Sequence, residues 1–371
     1  MTASPPDRPL RVGVIGLGWA GRSHLARYVT RPDVEVVGLA GMETALREEL
    51  AAEHGVPVAV DRWEDLLQQA ELDAVSVAVP TFLHAPATIA ALDAGLHVLS
   101  EKPMARTSAE ADAMVAAARR NNRVLEVAFN HRYRGDITAM REQVSAGAVG
   151  RVYHAKAEWW RRSGIPSLGS WFTNKEMGGG GPLIDLGVHM LDATLHMLGE
   201  PKVLTVSGVT HAELGPRGLG GGPDEKQAAG SAFEVEDLGV MLLRLEGGGS
   251  VTLEASWATH RPSGDDMAIT LYGTDGGIEL RTIDYAPAVV TLFATAPDGS
   301  EDVVLPVPES LGHTAVVDKF LAVIGDPSSW AEHDGTIGAT RTRILEAAYL
   351  SAERGAEVTM SELTEKVEVA R

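Results

Sequence analysis

The fold is decided by one stretch near the start of the chain, LRVGVIGLGWAG at residues 10–21. A short apolar strand there runs into the loop Gly16-x-Gly18-x-x-Gly21, and a helical pattern follows. In this context the first glycine permits a tight turn, the second lets the backbone approach a pyrophosphate, and the third lets helix pack on strand. Amide groups at the start of the helix then favour phosphate charge. The stretch therefore predicts a Rossmann dinucleotide-binding domain.

The loop residues expected to contact the dinucleotide are Gly16, Leu17, Gly18, Trp19 and Ala20. The sequence does not decide which dinucleotide binds.

An acidic residue usually ends the second strand and holds the adenosine ribose hydroxyls, but Gly41 stands at that position. Glu43 could reach the ribose and favour NAD, whereas Arg47 could meet the 2′-phosphate of NADP. Each could equally belong to the solvated face of the next helix. We expect NAD or NADP, with NAD slightly favoured.

Composition excludes several classes of protein. The 371 residues carry 51 acidic and 32 basic side chains, a formal net charge of −19, and no long basic run, so neither nucleic acid nor a membrane is an expected partner. The absence of cysteine excludes disulfides, thiolate metal sites and a cysteine nucleophile. The start of the chain lacks the apolar segment of a signal peptide, and no apolar run is long enough to span a bilayer. We expect a cytoplasmic protein.

The sequence pattern changes near Phe129. Before it, short apolar runs alternate with helical patterns, which is typical of a doubly wound parallel sheet. After it, strand patterns follow one another with few helices, which is typical of an antiparallel sheet with one covered face. We predict a Rossmann domain over 1–129 and, over 130–371, an α+β domain with an open, mostly antiparallel sheet. The glycine-rich segment 213–230 is expected to be a mobile loop over a ligand or a solvated hairpin connection.

Three further motifs make the sequence similar to one family over nearly its whole length. They are Val79-Pro80-Thr81-x-x-His84, Ala94-Gly95-Leu96-His97-Val98-Leu99-Ser100-Glu101-Lys102-Pro103 and Asp185-x-Gly187-x-His189-x-x-Asp192. With the glycine loop, they make the chain resemble the glucose-fructose oxidoreductase, inositol dehydrogenase and MocA (Gfo/Idh/MocA) family.

The resemblance implies functional residues around the cofactor. Pro80, Thr81 and His84 would lie beside it, with Glu101 and Lys102 near the nicotinamide ribose and the reacting carbon. From the residues alone, His84 could equally be a helix cap or a core histidine, and Glu101-Lys102 a solvated pair. The resemblance makes Lys102 the leading candidate for a functional residue.

Oxidation of a secondary alcohol requires a base for the hydroxyl proton and a cation near the oxygen. Lys102 has the right charge for the oxygen, and His189 is the candidate proton acceptor because imidazole titrates near neutral pH. Asp185 would orient a substrate hydroxyl, and Asp192 would support His189 or cap local backbone. A helix would bring these residues and His196 onto one face.

That face also offers a permissible set of metal ligands. It has no paired-histidine zinc motif, however, and hydride transfer needs no metal, so no metal site is expected. A buried structural histidine is the commoner alternative, which the resemblance outweighs for His189 but not for His196.

Two segments are candidates for substrate binding. Asn130 and Arg132 follow the last strand of the first domain, at the sheet edge where ligands of such folds bind. Trp160 and Arg161 belong to an aromatic and basic cluster that suits sugar rings and anionic groups. A packed strand end with solvated arginines explains the second segment equally well.

The leading hypothesis is an NAD(P)-dependent dehydrogenase or reductase acting on CH-OH groups of a sugar, cyclitol or related polyol. Two alternatives come from the same family: an NAD-dependent glycosidase, and a dinucleotide-binding regulator without catalysis. The resemblance also implies a homodimer or homotetramer formed through the open face of the second sheet. Candidate residues for that face, which could equally pack beneath helices, are Val240, Leu242, Leu253 and Ala255.

Overall fold

The computed structural model describes residues 8–221, 232–262, 264–284, 286, 288–294 and 302–363. The chain divides into two compact units. The first comprises Met1–Asn130 and Gly312–Thr342, and the second comprises His131–Leu311 and Arg343–Arg371. The chain thus leaves the first unit beside the predicted boundary, and a late segment that the sequence pattern assigned to the second domain returns to the first unit.

Within the described residues, the sheet of the first unit has six parallel strands. They are β1 (Leu10–Ile15), β2 (Val34–Ala40), β3 (Val58–Val60), β4 (Ala74–Val77), β5 (His97–Ser100) and β6 (Leu125–Val127). Their order is β3-β2-β1-β4-β5-β6, which confirms the predicted doubly wound sheet. Every residue of β4 and β5 is buried, as expected for strands covered on both faces. The switch between β1 and β4 is the point where ligands of such sheets bind.

Helices connect these strands. Those described are α1 (Trp19–Tyr28), α2 (Thr44–His54), α3 (Trp63–Gln69), α4 (His84–Asp93) and α5 (Ser108–Asn121). Thr107 caps α5, because its hydroxyl accepts a hydrogen bond from the Glu110 amide at 3.2 Å. The sequence pattern does not predict β3 or α3, because a three-residue edge strand and a seven-residue helix carry too little periodicity.

The described part of the second unit contains a nine-stranded sheet. Its strands are β7 (Val152–Arg161), β8 (Val203–His211), β9 (Leu238–Leu245), β10 (Ser250–Ser256), β11 (Asp265–Gly273), β12 (Gly276–Ile283), β13 (Val289–Ala294), β14 (Asp302–Val304) and β15 (Val358–Thr359). Their order is β14-β13-β12-β11-β7-β10-β9-β8-β15, and β7 and β10 form the parallel pair among antiparallel neighbours. The predicted open, mostly antiparallel sheet is confirmed.

The candidate interface residues divide between the two faces of this sheet. Leu253 and Ala255 of β10 are fully buried, and Leu253 lies opposite the buried Met241 of β9. Val240 and Leu242 of β9 are half-buried and point to the other face, because side chains alternate along a strand. Leu253 and Ala255 therefore belong to the core.

The remaining described helices are α6 (Gly135–Ser145), α7 (Lys175–Gly178), α8 (Val188–Met197), α9 (Gly312–Ile324) and α10 (Thr336–Arg354). A π-helical turn, Leu183–Gly187, directly precedes α8, so of the residues expected to share one helix face Asp185 lies in the turn, whereas His189, Asp192 and His196 lie on α8. The sequence pattern does not predict α6, because this helix opens with the weak helix formers Gly135 and Asp136.

Helix α9 and the start of α10 belong to the first unit. Arg27 of α1 forms a bidentate ion pair with Asp318 of α9, with Nε–Oδ1 and Nη2–Oδ2 distances of 2.9 and 2.8 Å. The predicted glycine-rich loop is described only in part: Gly215–Arg217 forms a 3-10 turn, and residues 222–230 lie outside the described residues. Among the described helices, none is long and apolar enough to cross a membrane.

Candidate functional site

The glycine loop has a backbone that fits a pyrophosphate. Gly16 has a φ of +92°, and a Cβ there would lie 2.2 Å from the carbonyl oxygen of Ala78, so the position requires glycine. Gly18 is the N-cap residue of α1, where no side chain caps the helix, and a Cβ on Gly18 would meet nothing within 4 Å. The first amide groups of α1 therefore stand uncapped by side chains beside open space, as binding of a phosphate requires.

The other loop residues differ in exposure. Leu17 is buried, Ala20 is half-buried and Trp19 is 68% exposed. The Trp19 ring meets the ring of His313 edge-on, with centroids 4.9 Å apart. Trp19 thus presents an exposed aromatic face at the start of α1.

The structure supports neither interpretation of Arg47, as a contact for a 2′-phosphate or as part of a solvated helix face. It is 6% exposed, its Nη1 donates to the carbonyl oxygen of Gly41 at 2.6 Å, and the same nitrogen lies 2.5 Å from Asp61 Oδ1. Arg47 is therefore neither solvated nor directed at a 2′-phosphate. Glu43 lies beside Gly41, where an added Cβ would be 3.4 Å from Glu43 Oε2.

The predicted cofactor motifs of the first unit meet at one edge of its sheet. Pro80, Thr81 and His84 follow β4, and Glu101 and Lys102 follow β5. In the sheet, β4 lies between β5 and β1, the strand that leads into the glycine loop. Because the carboxyl ends of parallel strands share an edge, these motifs and the glycine loop are brought together.

His84 joins two of these segments. It is 2% exposed, with Nδ1 2.7 Å from the carbonyl oxygen of Pro103 and Nε2 2.8 Å from that of Val79. Burial lowers the pKa of His84, and the two carbonyl groups oppose that shift. The buried ring thus ties the segment after β4 to the segment after β5.

Glu101 is a buried carboxylate between two histidines. Its Oε1 lies 3.3 Å from His24 Nε2 and 3.2 Å from His313 Nε2, and its Oε2 accepts a hydrogen bond from the Lys102 amide at 3.1 Å. Burial alone would raise the pKa of Glu101, but the two imidazoles outweigh it and hold the pKa well below its usual range. The interpretation of Glu101 as part of a solvated pair is therefore wrong. The sequence pattern does not point to either histidine, because both lie far from Glu101 in the chain.

In the second unit, aromatic side chains hold the predicted catalytic residues. Asp185, in the π-helical turn, accepts a hydrogen bond on Oδ2 from the indole of the buried Trp257 at 2.9 Å. His189, on α8, is 7% exposed and stacks on His131, with ring centroids 4.2 Å apart and 23° between the planes. The ring of Trp159 lies 5.8 Å from that of His189. The carboxylate and the imidazole are thus oriented by partners from other elements.

Arg132 forms a buried ion pair. Its Nε and Nη2 lie 2.7 and 2.6 Å from the two carboxylate oxygens of Asp192, and Nη2 lies 3.1 Å from Glu200. Burial alone would lower the pKa of Arg132, but the two carboxylates raise it. Asp192, expected to support His189 or cap backbone, uses both carboxylate oxygens on Arg132. Asn130, in the first unit, has a buried Oδ1 that accepts no hydrogen bond from the described residues.

The aromatic and basic cluster is internally paired. Asp265 accepts hydrogen bonds from Arg161 Nε and Trp159 Nε1, each at 2.6 Å. The guanidinium of Arg261 lies 6.0 Å from the ring centroid of Trp160. Arg161 is therefore not a solvated arginine, because Asp265 neutralises its charge. The neighbouring Trp160 is half-buried.

Comparisons with known proteins agree with the two-part organisation. Residues 10–129 match the model of an oxidoreductase family with an NAD-binding Rossmann fold, and residues 137–279 match the GFO/IDH/MocA C-terminal domain.

Curated relatives and a solved structure extend this match. The chain is 36% identical over 281 residues to D-glucoside 3-dehydrogenase of Escherichia coli, covering 76% of this chain and 79% of that protein. It is 32% identical over 298 residues to dTDP-3,4-didehydro-2,6-dideoxy-alpha-D-glucose 3-reductase of Streptomyces violaceoruber, covering 78% and 85%. A structure of levoglucosan dehydrogenase with NADH and levoglucosan has a TM-score of 0.80 at 23% identity over 95% of this chain and all of that one, so the fold is the same.

Proposed function

This chain belongs to the GFO/IDH/MocA family of oxidoreductases with an NAD-binding Rossmann fold, and from that premise we propose that it is an NAD(P)-dependent sugar dehydrogenase or reductase. It transfers a hydride between a nicotinamide dinucleotide and a hydroxyl or keto carbon of a sugar or related polyol. The observation that carries the proposal is the glycine loop, whose uncapped helix start fits a pyrophosphate, in a chain whose relatives are named for sugar oxidation and reduction.

Carbon 3 of a hexose ring is the first position to test. The Escherichia coli relative is named a glucoside 3-dehydrogenase and the Streptomyces relative a 3-reductase. Both names describe redox chemistry, which favours the oxidoreductase over the glycosidase and the regulator.

Lys102, His189 and Asp185 are the proposed catalytic residues. A nicotinamide dinucleotide, when bound, supplies the hydride acceptor or donor. The Lys102 ammonium stabilises negative charge on the substrate oxygen, and His189 takes or returns the hydroxyl proton. Asp185, fixed by its hydrogen bond from Trp257, orients a substrate hydroxyl.

The remaining contacts are proposed by motif. The glycine loop, Gly41, Pro80 and Thr81 contact the cofactor, and Asn130 and Trp160 contact the substrate. Arg132 and Arg161, each engaged by a carboxylate, shape their surroundings through those ion pairs rather than binding an anion directly.

NAD is the proposed cofactor in preference to NADP. The neutralised Arg47 offers little attraction to a 2′-phosphate, while Glu43 and the 61% exposed side chain of Asp61 would repel one. A ribose hydroxyl, in contrast, can donate to a carboxylate.

A homodimer or homotetramer formed through the open face of the nine-stranded sheet is also proposed. Val209 of β8 is 51% exposed and lies opposite Val240 in the strand register, next to Leu242. Light scattering is expected to report a dimer or tetramer for the wild type and smaller species for Leu242→Lys with unchanged circular dichroism. A monomeric wild type would exclude this assembly.

The catalytic proposal is tested by turnover of a panel of glucosides, free sugars and polyols with NAD and NADP. Lys102→Met and His189→Ala are each expected to lower kcat/KM by about 10²–10⁴-fold and to change the Kd for NAD little. Lys319→Met, at an exposed lysine of the first unit, is the matched control and should retain activity.

Undiminished turnover in both variants would exclude the proposed roles. Tight binding of NAD without turnover of any panel member would favour the regulator. Release of a free aglycone without net reduction of the cofactor would favour the glycosidase.

A further inference from the structure

Three histidines from three different helices surround the backbone on either side of Lys102. His24 of α1 and His313 of α9 approach Glu101, and His84 of α4 contacts the carbonyl oxygen of Pro103. His24 and His84 are 0% and 2% exposed. Buried imidazoles are costly unless their polar atoms are compensated, so their convergence on one short segment calls for an explanation.

The contact between His24 and Glu101 is electrostatic rather than a well-formed hydrogen bond. Both ring nitrogens of His24 are buried and lack a hydrogen-bond partner among the described residues, yet Nε2 lies 3.3 Å from Glu101 Oε1. His313 reaches the same oxygen at 3.2 Å. A buried carboxylate stays ionised only when its surroundings compensate its charge, and the contacts with the two imidazoles hold the pKa of Glu101 below its usual range.

These contacts fix the backbone at Lys102. The Glu101 amide donates to the carbonyl oxygen of Val77 at 2.8 Å, and Glu101 Oε2 accepts from the Lys102 amide at 3.1 Å. One residue further on, His84 holds the carbonyl of Pro103 at 2.7 Å. The direction in which the Lys102 side chain leaves the backbone is therefore set by groups on both sides.

We propose that His24, His313, Glu101 and His84 are positioning residues that hold Lys102 in the orientation its role requires. The inference rests on the proposed catalytic role of Lys102. It also gives a reason for the return of the late segment to the first unit, because His313 lies 212 residues after the carboxylate that it contacts.

The same cluster has a second chemical interpretation. The ligand atoms of His24, Glu101 and His313 lie within 4.8 Å of one another, which is compatible with a transition metal. A divalent ion would, however, add two positive charges close to Lys102, whose own charge already helps to lower the pKa of His84. The Glu101 carboxylate already has two imidazoles and the Lys102 amide as partners, so we favour the metal-free cluster.

The test compares His313→Gln, His24→Gln and Glu101→Gln with a matched control, His333→Gln. His333 also contacts a glutamate within the first unit, Glu126, which belongs to β6 rather than to the segment that contains Lys102. Hydrogen exchange of the peptide containing Lys102 is expected to be faster by about tenfold in the cluster variants, and kcat lower by about 10- to 100-fold. The KM for NAD should change by less than about threefold, since the phosphate loop is untouched. The control should match wild type in exchange and kcat.

Each outcome decides one point. Exchange and kcat in the cluster variants that equal those of the control would overturn the positioning role. Loss of wild-type activity on removal of a stoichiometric metal by a chelator would overturn it in favour of a metal centre. A wild type without turnover would contradict the proposed function, while hydrogen exchange would still test the positioning of Lys102. If His24→Gln fails to fold, the less buried His313 and the isosteric Glu101→Gln carry the test.

Discussion

At the scale of one residue, the charge of Arg47 is engaged by groups of the protein itself rather than left available to a ligand. Its guanidinium is divided between a backbone carbonyl and Asp61, and its side chain is 8% exposed. Removing one partner of such a pair leaves an uncompensated buried charge, which favours binding of another group of opposite charge. We therefore propose that Asp61, together with the residues after β2, governs the adenosine end of the cofactor site.

Asp61→Asn is expected to shift cofactor preference toward NADP. The change leaves Arg47 with a full charge that can meet a 2′-phosphate and removes one repelling carboxylate. The wild type should prefer NAD in kcat/KM by more than about tenfold, and the variant should narrow that ratio by about tenfold. Glu64→Gln, at a nearby acidic residue on α3 that pairs with Arg62, is the control. A wild type that prefers NADP would exclude this account.

The sequence predicted functional residues where a motif fixes the backbone, and it missed their partners. Gly16 followed from the strand and glycine-loop pattern, whereas Lys102 became a candidate through the family resemblance of the motif that contains it. Asp61 follows the edge strand β3, which has no clear periodicity, and Trp257 lies 72 residues from the carboxylate that it orients. No local pattern singles out His131, although it stacks on His189. Such pairings depend on packing that no local pattern encodes.

At the scale of elements, the start of the π-helical turn is held by one buried carboxylate. Glu236 Oε2 accepts from the Gly181 amide at 3.0 Å, and Oε1 accepts from the Leu183 amide at 3.1 Å and from the hydroxyl of Tyr349 at 2.8 Å. Burial raises the pKa of Glu236, and these three hydrogen bonds oppose that shift. The glycine run before the turn thus serves the close approach of this carboxylate. Asp185 lies in the turn that Glu236 fixes.

Tyr349→Phe is expected to lower the free energy of unfolding by about 1–2 kcal/mol, because it leaves a buried carboxylate oxygen with one donor fewer. A drop in kcat with little change in the Kd for NAD should accompany it, since the turn that carries Asp185 loosens. Urea denaturation and steady-state kinetics measure the two effects. Tyr153→Phe, at a 47% exposed tyrosine, should change neither. Unchanged stability of Tyr349→Phe would mean that Glu236 holds the turn without the phenol.

At the scale of the whole molecule, the sequence predicted two sheets of different kinds, but it could not predict to which of the two units helix α9 belongs. Alternation of short buried strands and helices up to residue 129 is a local signal, and the six-stranded parallel sheet followed from it. The partner of α9 is not a local property, because an amphipathic helix packs on any complementary surface. Gly312–Thr342 therefore joined the first unit without a sequence signal that placed it there. The expected cytoplasmic location stays a prediction.

Buried histidines make the stability of the whole protein depend on pH. His97 is 6% exposed, and its Nδ1 accepts a hydrogen bond from the Val124 amide at 3.1 Å, which requires the neutral ring. Burial, and then the charge of Arg123, lower its pKa to about 4. Burial and Arg132 likewise lower the pKa of His196 to about 4. Above the unfolded value near 6.5 these rings are neutral in both states and have no effect on the pH dependence.

Below pH 6.5 His97 becomes protonated in the unfolded chain but stays neutral in the folded protein. The free energy of unfolding therefore falls until the pH reaches the folded pKa near 4. For His97 this loss amounts to about 2 kcal/mol at pH 5. His97→Asn keeps an acceptor for the Val124 amide but cannot titrate. It should therefore lose about 2 kcal/mol less than wild type between pH 7.5 and pH 5 in urea denaturation. An equal loss in both proteins would mean that His97 takes up its proton in the folded state as readily as in the unfolded chain.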